Sequence, residues 1–63
     1  MLIIQENQVV IKHYKKLLIL NEYQIDIELN QSIVHIYGTN LEINYYSFDE
    51  LIIVGKIRTV SFL

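Results

Sequence analysis

The chain has no cysteine, no proline and no tryptophan, and only two glycines among its 63 residues. Without cysteine there is no disulfide and no thiolate metal site to support so short a fold. Without proline or a Ser-rich tract there is no linker signal, so residues 1–63 read as a single domain. No apolar run approaches the ~20 residues that a membrane-spanning helix needs. The opening MLIIQENQ lacks the basic start and long apolar stretch of a secretory signal. Basic residues are not in excess: five Lys and Arg stand against seven Asp and Glu, for a net charge of −2. The isoelectric point near 5.5 argues against a dedicated nucleic-acid binder. These features together predict a cytoplasmic protein with no membrane span of its own.

What is there is apolar and β-branched. Hydrophobic residues make up 52% of the chain, and the mean hydropathy is +0.31. That slightly exceeds the usual share of a soluble domain and points to apolar surface covered by another chain. Ile, Leu, Val and Tyr dominate, which suits pleated, half-buried surfaces. In QIDIELN, Ile25, Ile27 and Leu29 alternate with Asp26 and Glu28. LEINY repeats the pattern with Leu41, Ile43 and Tyr45 against Glu42 and Asn44. Such strands are antiparallel in type, with one wet face.

Turn signals separate the runs. Asn21-Glu22 and Asn30-Gln31 supply residues that tolerate tight reversals. Gly38-Thr39-Asn40 predicts a break before LEINY, and Ser47-Phe48-Asp49 another before ELIIV. Gly55-Lys56 carries the signature of a two-residue type II′ hairpin flanked by Val54 and Ile57. In IRTVSF, Ile57 is out of phase with Val60 and Phe62, so either a β-bulge near Arg58-Thr59 or a corner between two sheets is expected. LLIL and LIIV are apolar at successive positions and call for cover on both faces. KHYKKLLIL also fits a short amphipathic helix through Tyr14, Leu17, Leu18 and Leu20, but its neighbours favour strand. The predicted fold is all-β: a small antiparallel meander, sandwich or partial barrel of six to eight short strands.

Chemistry is sparse. His13 and His35 lie far apart in sequence, with no carboxylate at ligand spacing, so neither metal nor cofactor is expected. Asp49-Glu50 are adjacent on a strand and point to opposite faces, which suits a polar turn. Ser32, Ser47 and Ser61 lack a base partner or a nucleophile elbow. Gly38 and Gly55 are isolated and form no phosphate loop. No catalytic residue is assigned. Two stretches read as contact surfaces. KHYKK gathers Lys12, Lys15 and Lys16 around Tyr14, suiting an acidic partner or an anionic membrane surface. NYYSF gathers Tyr45, Tyr46 and Phe48, residue types enriched at interfaces. Exposed strand edges are the first contact mode expected, ahead of KHYKK and then NYYSF.

IYGTNLEI, followed by ELIIVGKIRTVSF, resembles the YabP/YqfC family of small sporulation proteins. The matching positions are Ile36, Gly38, Asn40, Leu41 and Ile43, then Ile52, Gly55, Ile57, Val60 and Phe62. The resemblance runs from about Val10 to Phe62. Two glycines of the family pattern, expected near Lys16 and Ser32, are missing here, as is the family's longer N-terminal extension. The resemblance implies a small all-β domain made in the mother cell. It implies a non-enzymatic role in spore envelope assembly, with an integral membrane sporulation protein as partner. The alternative is a β-scaffold that forms homo-oligomers edge to edge.

Overall fold

A computed structural model describes residues 2–63. All its regular structure is β: β1 (Leu2–Ile4), β2 (Gln8–Lys12), β3 (Lys16–Leu20), β4 (Gln24–Glu28), β5 (Ile33–Tyr46) and β6 (Glu50–Phe62). They form one antiparallel sheet in the order β1-β2-β6-β5-β4-β3. KLLIL is strand rather than helix. Strands β3 to β6 run as a meander, and the β1–β2 hairpin docks on the first half of β6.

This order cannot lie flat. In a flat sheet β2 and β3 would stand four strand spacings apart, roughly 19 Å. Only residues 13–15 join them, and the step from Lys12 to Lys16 reaches at most about 14 Å. Strand length gives the same answer. A straight strand as long as β6 would span about 40 Å, yet the longest dimension of the molecule is 26 Å. The β5–β6 pair must therefore fold over in its middle.

The fold-over sits where the sequence predicted reversals. Gly38-Thr39-Asn40 is not a break, and Gly55-Lys56 is not a hairpin; both lie inside continuous strands. Gly38 stands opposite Ile57, and Thr39 opposite Lys56. A Cβ on Gly38 would lie 2.0 Å from the Lys56 carbonyl oxygen, and one on Gly55 would lie 2.6 Å from that of Asn40. Each strand thus lacks a side chain where the other strand's backbone presses closest. Gly55 has φ 136° and Asn40 φ 53°, the latter in the left-handed region that Asn tolerates. Register shifts around this crossing mark bulges, which bend strands and increase their twist. One is the expected bulge: Thr59 pairs Tyr37 and Ile57 pairs Gly38, leaving Arg58 extra. Val60 and Phe62 then share the inner face, opposite Ile36 and Val34. A further shift between Ile43 and Tyr45 puts Tyr45 opposite Ile52 while Ile43 faces Ile53. Tyr45 therefore leaves the face of Leu41 and Ile43, against the expected alternation.

Folding over brings the two halves' apolar faces together. Val9 and Ile11 from β2, and Leu51 and Ile53 from β6, join Ile25 and Ile27 from β4 and Val34, Ile36 and Leu41 from β5 in one core. Each such buried aliphatic side chain contributes on the order of 2 kcal/mol. LIIV in β6 obtains the expected cover: Leu51 and Ile53 are buried, Ile52 and Val54 half-buried. LLIL in β3 does not, because β3 is an edge strand and Leu18, Ile19 and Leu20 are exposed.

The expected wet face of QIDIELN is also incomplete. Asp26 on the outer face is only 5% exposed. Gln24 Nε2 donates to both its carboxylate oxygens, at 3.1 and 3.2 Å. His35 stands opposite it on β5. The His35 Nδ1 lies 2.9 Å from Asp26 Oδ2 but off the hydrogen-bonding direction of the ring nitrogen, so it makes no hydrogen bond there. The Tyr37 ring stacks beside His35 with centroids 6.4 Å apart.

Candidate contact site

Two connections meet at one end of the molecule: the β2–β3 link (residues 13–15) and the β5–β6 turn (residues 47–49). The link is tight because it joins the two halves of the folded sheet. His13 takes φ 62°, and its amide donates to the Asp49 carbonyl at 2.6 Å. The Lys15 amide donates to the Glu28 carbonyl at 2.8 Å, anchoring the far side. The turn closes on itself through Ser47 N–H donating to the Glu50 carbonyl at 2.9 Å.

Tyr14 ties link and turn together. Its hydroxyl donates to the Ser47 carbonyl, and its ring lies 6.4 Å from that of Tyr46, tilted by 38°. Partial burial, with the Tyr46 and Asp49 side chains close by, holds the Tyr14 phenol above its ordinary value of 10.0. Tyr14 is thus a neutral bridge at working pH. Phe48 at the tip of the turn is 91% exposed, and Tyr46 is largely exposed.

The six residues read as contacts divide as follows. Lys12 ends β2, Lys15 lies in the link, and Tyr46 and Phe48 flank Ser47; these four share the end of the molecule. Tyr45 is exposed there too but on the opposite sheet face from Tyr46. Lys16 leads away into the β3 edge. The expected basic patch is interrupted by acids: Lys12 stands opposite Glu50 and Lys16 opposite Glu28. Such cross-strand pairs contribute about 0.2–1 kcal/mol each and dilute the positive field. Beside this end, Lys12, His13, Leu29, Asn30 and Gln31 line an open depression of about 420 Å³.

The residues expected to define turns, Gly38, Asn40, Gly55 and Lys56, lie at the fold-over instead. His35 and Ser61 gain neighbours that their sequence context did not announce. Ser61, His35 and Asp26 stand in register across β6, β5 and β4. They lie on the outer sheet face, away from the aromatic end. Among the described residues, no group of three or more His, Cys, Asp or Glu is placed to hold a metal ion. No helix there is long and apolar enough to cross a membrane. No family model matches this sequence, and no curated protein matches it.

Proposed function

We propose that this chain is a non-enzymatic adaptor domain of the YabP/YqfC type. It acts on the mother-cell side in spore envelope assembly and contacts an integral membrane protein through the Tyr14–Tyr46–Phe48 end. The family part of the reading rests on the motif residues. Their positions support it: Ile36 and Leu41 are core, while Gly38, Asn40 and Gly55 build the fold-over.

The observation that carries the contact role is the exposed aromatic tip on a rigid base. Phe48 is almost fully solvated, yet the turn that holds it is pinned by Tyr14, His13 and Ser47. A large apolar side chain held in a fixed place suits insertion into a partner's pocket. The interleaved acids and lysines favour a protein partner over an anionic lipid surface, which would select unbroken positive charge.

The test uses an endospore-forming host carrying this gene. The tagged chain is isolated from detergent-solubilised membranes during envelope assembly. An integral membrane protein should co-purify, identify by mass spectrometry and retain the chain in the reciprocal isolation. Phe48→Ala should cut its recovery at least tenfold with an unchanged thermal transition. A deletion strain with normal spore envelopes, or full recovery with Phe48→Ala, would overturn the reading.

A further inference from the structure

Four strand edges lack a ladder partner among the described residues: β1, β3, the second half of β5 and the second half of β6. Natural edges are blunted by charge, brevity or bulges. The second half of β5 carries Glu42 and Asn44, and the second half of β6 carries Arg58 and Thr59. Strand β1 has only three residues and runs straight into Gln5-Glu6. Strand β3 is different. From Leu17 to Leu20 it has no charged or polar side chain. Its residues are apolar on both faces, since Ile19 stands opposite Asp26 on the outer face and Leu20 opposite Ile25 on the inner one. That is the sequence of a covered, central strand placed at an edge. Leu18, Ile19 and Leu20 are 42%, 40% and 53% exposed.

We infer that β3 pairs antiparallel with β3 of a second copy about a two-fold axis near Leu18, joining two sheets into one. The charges flanking the strand choose this occupant and orientation. Lys15 and Lys16 precede the apolar run, and Glu22 follows it. Antiparallel pairing about Leu18 brings Leu17 against Ile19 of the second copy and Lys15 beside its Asn21-Glu22 end. Opposite charges then meet at both ends of the interface. Parallel pairing would set the lysines of the two copies against each other. Leu18 faces its own counterpart, so the interface is isologous. The bulge between Leu17 and Ile19 makes Leu18 the extra residue of the strand, widening the apolar stripe at the axis. Because the two-fold consumes the edge, assembly stops at the dimer. This inference is independent of the sporulation reading and of the Phe48 end.

Sedimentation equilibrium on the full chain provides the test, from about 5 µM to about 500 µM, because a contact this small associates weakly. The mass should rise from 7.5 kDa towards twice that value and stop. Leu18→Glu sets two carboxylates face to face at the axis and should raise the dissociation constant at least tenfold. Ile3→Lys on the β1 edge should leave it unchanged. Lys15→Glu should weaken association, and adding Glu22→Lys to the same chain should restore it. Circular dichroism confirms that each variant keeps its β-fold. A constant monomer mass at the highest concentration would overturn the inference. So would growth beyond the dimer, or a dimer indifferent to Leu18→Glu.

Discussion

Gly38→Ala is the most informative single substitution for the fold. An added Cβ would lie 2.0 Å from the Lys56 carbonyl oxygen, where ordinary contact begins at 3.4 Å. The obstacle is backbone in a paired strand, so it cannot rotate aside. The strands must part by about 1.4 Å at their crossing. The Gly38 amide bond to the Tyr23 carbonyl, already 3.1 Å, sits at the same point. Losing two or three such bonds among buried backbone costs about 1–1.5 kcal/mol each. Restricting the unfolded chain offsets roughly 0.5 kcal/mol. The expected net loss is about 3 kcal/mol. A domain of this length holds about 3–9 kcal/mol in all. Urea titration followed by far-ultraviolet circular dichroism and tyrosine emission measures the effect. With a slope near 1 kcal/mol per molar, the midpoint should fall by about 3 M. A shift under about 0.5 M would refute the close crossing. It would fit an open loop at Gly38-Thr39-Asn40, as the sequence by itself predicted.

Other expectations follow from the same geometry. Gly55→Ala should cost about 2–3 kcal/mol in the same titration, because φ 136° disfavours any side chain. Asn40→Gly should stay within about 0.5 kcal/mol, since glycine accepts φ 53° freely. Asp26→Ala should lower stability by about 1–2 kcal/mol, as it leaves the half-buried Gln24 amide without its acceptor. The Tyr14 phenol is held above 10.0 in the folded chain, so its contribution is complete below pH 10 and is lost as pH rises through the folded value. Alkaline titration of stability should therefore fall above pH 10, and Tyr14→Phe should flatten that fall. An unchanged alkaline limb in Tyr14→Phe would contradict the bridging role.

Much of the strand pattern was legible because local alternation reports burial. Ile25 and Ile27 in QIDIELN are fully buried, and the Asn21 turn appears as expected. There Asn21 Oδ1 accepts from the Tyr23 and Gln24 amides, both at 2.8 Å. The phase break at Arg58 was legible too, though phase alone did not separate a bulge from a corner between sheets. The Gly55-Lys56 reversal failed for a physical reason. A glycine between two apolar runs serves equally a tight turn or a close backbone approach. What decides is Asn40 on the facing strand, which local sequence does not supply. The lost face of Tyr45 has the same origin, since the shift before it depends on pairing with β6. At the contact end, KHYKK and NYYSF were each readable. Their meeting was not, because it depends on β2 pairing with β6, which sets Lys12 opposite Glu50 beside the 47–49 turn. The role of Tyr14 as the bridge between them is a consequence of that pairing.

The contact role of the aromatic tip is tested most directly by photo-crosslinking in the sporulating host. A photoreactive phenylalanine analogue replaces Phe48 in one strain and Thr59, on the opposite half of β6, in another. A cross-link is expected from position 48 to an integral membrane protein, and none to it from position 59. A partner captured from position 59 but not from position 48 would contradict the contact role.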